Sequence, residues 1–250
     1  MSKLYLQHLE ETSLNAWPAL NTLVYDGWIL RMSNGYTKRA NSVTPLYRGH
    51  NSLTEKINHC IRLYHRCHLP PIFRVPSFVS DAALLDKQLA DKGYTRFDET
   101  IVMTMPLEPR QYQYTPRMFE LHWPDLWVPL YHEMDPSRKD AATHEEILNR
   151  IMGDTSYMTI RLGDPIACGL GVCEAGYLGL FDIVVQSDYR GKGFGRELVQ
   201  NLLAWGEDEG AKHAYLQVTA KNSPAIALYT KLGFQESYRY WYWIHPSDQE

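Results

Sequence analysis

No apolar run in this chain approaches the roughly 20 residues that a membrane helix needs, and Met1-Ser2-Lys3-Leu4-Tyr5-Leu6 lacks the hydrophobic stretch of a secretory signal. Cysteine is scarce. Cys60, Cys67, Cys168 and Cys173 are too few among 250 residues for a disulfide scaffold, so reduced thiols and a cytoplasmic setting are expected. Excess basic charge is missing as well: the formal net charge is −4, which argues against general nucleic-acid binding. Neither a membrane nor a nucleic acid is an expected partner, and a homodimer stays open. What is present is an ordinary globular composition, 44% hydrophobic and 22% charged, in a chain long enough for two modest domains.

The periodicity predicts a helix over 9–23, where Leu9, Leu14, Trp17, Leu20 and Val24 recur at roughly helical spacing. Residues 26–32 alternate like a strand, Asn34-Gly35 signals a tight hairpin, and 37–43 would be the returning strand. A helix is expected over 52–67, with Leu53, Ile57, Cys60, Ile61 and Tyr64 on one face. A strand over 72–75, a helix over 81–91 ended by Gly93, and a strand over 100–107 follow. The polar, Pro-flanked stretch 108–116 reads as a linker, dividing the chain into 1–108 and 117–250. From Arg117 the pattern restarts: a strand over 118–122, helices over 123–134 and 141–152, then strands over 157–162, 167–172 and 178–185. A helix over 194–209, a strand over 214–219, a helix over 224–232 and a strand over 238–244 complete it. Strands alternating with helices indicate an α/β class with a mixed sheet.

The halves echo one another. Tyr47-Arg48-Gly49 precedes the helix of the first half, and Tyr189-Arg190-Gly191 the matching helix of the second. The strand at 72–75 aligns with Leu216–Val218, and Leu89-Ala90-Asp91-Lys92-Gly93-Tyr94 with 228–234. Duplication is the preferred explanation, two unrelated α/β domains the alternative.

The strongest motif runs from Ile183-Val184-Val185 through a short turn into Arg190-Gly191-Lys192-Gly193-Phe194-Gly195-Arg196. Its glycines let main-chain N–H groups approach a ligand, and the helix that follows presents its positive end, a combination suited to a pyrophosphate. No Gly-Lys-Ser/Thr follows, so this is not a Walker motif. A second motif, Asn222-Ser223-Pro224-Ala225 through Tyr229 to Gly233-Phe234, follows one strand later. Asn222 suits a helix cap and Pro224 a first turn.

These two motifs together resemble the GNAT superfamily of acyl-CoA-dependent N-acyltransferases. The first matches its Arg/Gln-x-x-Gly-x-Gly/Ala loop, the second its Asn-x-x-Ala-x-x-x-Tyr-x-x-x-Gly-Phe helix, and the element order covers about the last 130 residues. The resemblance implies two GNAT-like units, the C-terminal one complete. The first keeps Arg48-Gly49 but reads His50-Asn51-Ser52-Leu53 where the glycines should continue. It also implies acetyl-CoA as co-substrate, no metal, and direct acetyl transfer to a primary amine of a small molecule or peptide. Ile183, Val184 and Val185 would line the pantetheine arm, and Arg190, Gly191, Lys192, Gly193, Phe194, Gly195 and Arg196 would receive the pyrophosphate. Asn222 would lie near the pantetheine, and Tyr229 would be the general acid for the departing thiolate. A longer acyl donor, or an acyl-CoA-binding sensor or scaffold without catalysis, are the rival readings.

Tyr229 alone could be a packed aromatic; within the motif the acid role is favoured. Asp182 is a candidate base or amine anchor, or else a structural carboxylate, with Glu174 and Glu133 behind it. The cluster His59, Cys60, His65, Cys67, His68 resembles a metal site, but His65 and His68 would share a helical face that Cys67 leaves, and no second ligand pair is near. Trp123, Trp127 and Tyr131 are candidates for an acceptor pocket. Residues 238–244 should form a strand with one aromatic face in the core. Arg31 and Arg39 read as solvated surface charges.

Overall fold

A computed structural model describes residues 2–109, 111–121 and 123–248. The first half runs α1 (Lys3–Asn15), β1 (Asn21–Tyr25), β2 (Trp28–Met32), a 3-10 turn (Lys38–Ala40), β3 (Val43–Thr44), α2 (Leu53–Arg66), β4 (Phe73–Pro76), α3 (Ala82–Asp91) and β5 (Thr95–Pro106). The second runs β6 (Met118–Leu121), α4 (Pro124–Met134), α5 (Ala141–Leu148), β7 (Asp154–Leu162), β8 (Asp164–Glu174), β9 (Tyr177–Val185), α6 (Phe194–Asp208), β10 (His213–Thr219), α7 (Ser223–Leu232) and β11 (Gln235–Ile244). This is the expected mixed α/β class.

The N-terminal boundaries differ from expectation for local reasons. The first helix starts early because the Ser2 hydroxyl accepts the Tyr5 amide, and it ends at Asn15, two residues before Trp17-Pro18 turns the chain away. The tight hairpin forms at Asp26-Gly27, both at positive φ, joining β1 to β2. Asn34 and Gly35 also take positive φ, but the chain after them curls into the 3-10 turn. There the Asn41 side chain accepts the Ser33 and Gly35 amides and donates to the Tyr36 carbonyl, so only Val43–Thr44 returns to the sheet. The strand expected to end at 122 is described to Leu121; His122 lies outside the described residues.

All eleven strands join one sheet, in the order β1-β2-β3-β4-β11-β5-β10-β9-β8-β7-β6. In each half a parallel pair is linked through a crossover helix: β3 with β4 through α2, and β9 with β10 through α6. The last strand of each half is then exchanged. β11 pairs antiparallel with β4, and β5 pairs antiparallel with β10, while β5 and β11 pair with each other at the centre. Read outward from that centre, the two halves show the same strand order as far as β2 and β8. The stretch after Pro109 lies along α6: the Tyr114 hydroxyl donates to Asp208 at 2.8 Å, and the Thr115 amide to Asn201 at 2.8 Å.

Three buried clusters fill the layers. Helices α1, α4 and α5, with Trp17 just past the end of α1, cover one face through Leu9, Trp17, Trp127 and Ile147. On the other face α2 and α3 bury Ile57, Tyr64, Leu85 and Leu89, and α6 and α7 bury Leu198, Leu202 and Leu232. Because β11 is central, both of its faces are buried, not one as expected: Tyr238, Tyr240 and Tyr242 enter the first cluster, Trp241 and Trp243 the second. No helix among the described residues is long and apolar enough to cross a membrane.

Candidate functional site

The β9–β10 ladder runs from His213↔Tyr177 to Leu216↔Leu180 and stops there. Beyond it the strands part, and a cavity of about 720 Å³ opens between them, large enough for a small substrate. The parting has a cause in β9. Cys168 pairs with Val184 and Leu170 with Phe181, so Gly169 faces both Asp182 and Ile183, a β-bulge with one extra residue. Asp182 takes φ +48, a conformation an aspartate tolerates better than most side chains. The bulge aims the Asp182 carboxylate toward the cavity wall, where Ile183, Val184, Val185, Arg190, Asn222 and Tyr229 also lie.

Helix α7 fixes Tyr229. Asn222 accepts the Ala225 amide at its start, and Gly233 at φ +105 ends it with the Phe234 amide returning to the Tyr229 carbonyl at 3.1 Å. Tyr229 is 7% exposed, and burial pushes its phenol up to about 12, so it is fully protonated at neutral pH. Among the described residues none hydrogen-bonds to its hydroxyl.

Beyond Val185 the chain makes a short 3-10 turn, Ser187–Tyr189, and enters α6 at Gly193. The first helical hydrogen bond is made by Glu197, to the Gly193 carbonyl. The amides of Gly191, Lys192, Gly193, Phe194, Gly195 and Arg196 are left uncommitted among the described residues, with no side-chain cap over them. Gly191 and Gly193 adopt φ +73 and +91. Gly193→Ala is expected to strain this turn by about 1–2 kcal/mol and to weaken coenzyme A binding in calorimetry; unchanged affinity would deny the turn that role.

The corresponding turn of the first half is closed by its own side chains. The Asp26 carboxylate accepts the His50 and Asn51 amides at 2.8 and 3.0 Å, and Glu55 accepts the Ser52 amide while Ser52 caps α2. The His50 amide, helped by Asn51 and the buried Lys56 ammonium, holds the Asp26 carboxyl down at about 2. A Cβ on Gly49 would stand 2.0 Å from Asp26. Carboxylates occupy the amides that a diphosphate would need.

A second constellation joins Asp182. His144 on α5 is fully buried, and its Nε2 lies 3.0 Å from Asp182 Oδ2. Its Nδ1 is 3.1 Å from His132 Nε2, and His132 Nδ1 is 3.2 Å from the Arg138 carbonyl oxygen. The rings of Trp17, Tyr36, Tyr131 and Trp127 surround His144. Burial holds His132 below the usual histidine range. The Arg138 carbonyl only accepts, so His132 Nδ1 bears a hydrogen and its Nε2 accepts from His144 Nδ1. His144 Nε2 then faces Asp182 with no hydrogen between them unless the chain takes up one proton more. Asp182, His144 and His132 form a continuous line of side-chain contacts that begins at the cavity.

Other expected residues are placed differently. Trp127 is buried, with its indole N–H on the Met158 carbonyl, and Trp123, just before α4, is 65% exposed; of these three aromatics only Tyr131 lines the cavity. Arg31 and Arg39 are not surface charges. Arg31 is 1% exposed, donating to the carbonyls of Arg39, Leu14 and Trp17, and Arg39 lines the cavity. Glu133 is exposed, and Glu174 accepts from Asn15 outside the cavity. His68 lies past the end of α2 at φ +54, so it shares no helical face with His65, and no group among the described residues is placed to hold a metal ion. His132 and His144, on separate helices, gave no sequence signal.

Known proteins show the same architecture. A GCN5-related N-acetyltransferase from Kribbella flavida superposes with a TM-score of 0.71 at 11% identity, covering 96% of this chain and 95% of that one. A tandem GNAT protein from the clavulanic acid biosynthesis pathway gives a TM-score of 0.61 at 14% identity, over 81% of this chain and 74% of that one. At those identities the shared property is the fold. By sequence, the chain is 28% identical over 242 residues to the uncharacterized N-acetyltransferase YobR of Bacillus subtilis (strain 168), spanning 92% of this chain and 94% of YobR. A family model described as "Probable histone acetyltransferase Rv0428c C-terminal" matches residues 5–243. The protein is an acetyltransferase of the GNAT type, and it belongs to the family that this model defines.

Proposed function

We propose that the cavity between β9 and β10 transfers an acetyl group from acetyl-CoA directly to a primary amine. The observation that supports this most is the convergence on one cavity of three features: Tyr229, the bulged carboxylate Asp182, and the strand that leads into the uncommitted amides 191–196. In this reading those amides, with Arg190, Lys192 and Arg196, receive the diphosphate. The unpaired edge of β9 from Ile183 to Val185 takes the pantetheine arm and supplies a donor to the thioester carbonyl oxygen. Asn222 stands near the arm while capping α7.

An ammonium acceptor must shed two protons as it becomes an amide. Asp182 accepts the one that frees the nitrogen lone pair, and this proton fills the gap between Asp182 and His144. His144 passes its Nδ1 proton to His132, which is half-exposed and releases its Nδ1 proton to solvent water; low basicity favours that release. The amine then attacks the acetyl carbon, the carbon–sulfur bond breaks, and Tyr229 protonates the departing thiolate. The second nitrogen proton restores the Tyr229 phenol. We read residues 1–108 as a degenerate unit, 109–116 as its linker and 117–250 as the catalytic unit. Trp17, Lys38 and Arg39 of the first half line the same cavity, which gives that half a role in holding the acceptor.

Thiol release from acetyl-CoA across an amine library tests the reading. Tyr229→Phe should lower kcat by roughly a hundredfold with acetyl-CoA affinity nearly unchanged. An unchanged kcat with a responsive amine would remove the acid role.

A further inference from the structure

Four basic side chains line the cavity: Lys38, Arg39, Arg138 and Arg190. Three are committed. Lys38 pairs with Asp98, Arg138 Nε lies 3.6 Å from Asp135, and Arg190 Nε donates to the Val185 carbonyl at 3.0 Å. Arg39 makes no ion pair or side-chain hydrogen bond among the described residues, and its Nε is buried without a partner. Its guanidinium is held over the faces of Trp17 and Phe181, 5.6 and 5.4 Å from the ring centroids, and those two rings stack on each other.

Beneath it the positive charge deepens. Arg31 is wholly buried and donates only to neutral carbonyls; burial, then the charge of Arg39, brings it down to about 10. Arg74 is neutralised by Glu10, but among the described residues no carboxylate pairs with Arg31 or Arg39. A guanidinium that lines the cavity beside a second, buried one, with no acid paired to either among the described residues, is costly when dry. An anion delivered from the cavity removes that cost.

We propose that Arg39 is the subsite for a carboxylate on the acceptor, so that the amine acetylated is a small zwitterion of the amino-acid type. The planar fork of Arg39 suits a carboxylate. A dianion is disfavoured because Asp98, Asp135 and Asp182 face the same space. The cavity of about 720 Å³ suits a small acceptor. Phe181, under the guanidinium, and Asp182, the base, are consecutive in β9, about 3.8 Å apart at Cα. Arg39 and Asp182 line the same cavity, so an ammonium on Asp182 and a carboxylate on Arg39 can belong to one molecule. A protein N-terminus, whose own α-carboxylate is consumed in a peptide bond, lacks the second group. This identification rests on the acetyl-transfer reading of the cavity.

The experiment compares α-, β- and ω-amino acids with their carboxamides and their decarboxylated amines, using intact wild-type protein, Arg39→Gln and Arg39→Lys. With the wild type, at least one amino acid should exceed its own amide by roughly 30-fold or more in kcat/KM. Arg39→Gln should erase that ratio through KM, with the KM for acetyl-CoA within roughly twofold, and Arg39→Lys should restore part of it. Amides and amines accepted as well as acids, a preference that survives Arg39→Gln, or better use of peptide N-termini would overturn the proposal. The same panel is titrated calorimetrically into protein saturated with coenzyme A. If no amine of any kind is acetylated, the transfer reading fails, and the anion subsite then stands only if acids bind the wild type and not Arg39→Gln.

Discussion

Produced without residues 1–108, the C-terminal half is expected not to fold. Its sheet is interrupted where β5 belongs. That strand pairs with β10 from His213↔Pro106 to Thr219↔Thr100 and with β11 over most of its own length. Removing residues 1–108 leaves β10 an open edge and β11 without either neighbour, since β4 goes with β5, and strips the buried side chains Ile101, Val102, Met103 and Met105 from the layers on both faces. Burying one such side chain is worth about 1.5–3 kcal/mol, against a total stability of roughly 5–15 kcal/mol for a domain. Losing four at once, with open strand edges, exhausts that margin and invites aggregation. Circular dichroism and amide NMR of residues 117–250 should show a disordered or aggregated chain, and co-expression with 1–108 should recover the fold. A soluble, acetyl-CoA-binding fragment 117–250 would contradict the strand exchange as a requirement for folding.

Replacing Asp182 by asparagine should lower kcat by roughly 10²–10⁴ while leaving coenzyme A affinity almost unchanged. Asparagine tolerates the φ of +48 that the bulge imposes, so the cavity keeps its shape. Its amide cannot accept the ammonium proton. His144→Gln interrupts the chain one step later: Asp182 remains to accept the first proton but has no buried route to pass it on. The loss should be smaller, and the rise of kcat with pH should shift, because the carboxylate would discharge to cavity water and not through His132. Stopped-flow thiol release across pH, with each variant checked by thermal melting, reads both effects. If Asp182→Asn keeps wild-type kcat, the carboxylate is structural and the proton leaves by another path.

The parts of this site legible in the sequence were those written in short spacing. The glycines at 191, 193 and 195 and the Asn222–Phe234 helix each specify a backbone conformation within a few residues, and the structure forms the turn and helix those spacings specify. Asp182 was visible only as a polar residue in an apolar strand; the bulge that turns it comes from its register against β8. Groups assembled from distant segments were silent. His132 and His144 meet across two helices, and Arg39 reaches the cavity because the 3-10 turn after Gly35 replaces an expected strand. Charge alone had suggested solvent for it. The hairpin went to Asp26-Gly27 because that dipeptide, unlike Asn34-Gly35, is flanked by two segments that pair. The strand exchange is a choice between pairing partners far apart in the chain, which local periodicity does not encode.

Titration of the intact protein with coenzyme A in a calorimeter tests the central claim, that main-chain amides at the start of α6 grip its diphosphate while the matching turn of the first half is sealed by Asp26 and Glu55. One binding site per chain is expected, weakened by Gly193→Ala and unaffected by Asp26→Asn. No association, or two equivalent sites, would contradict it.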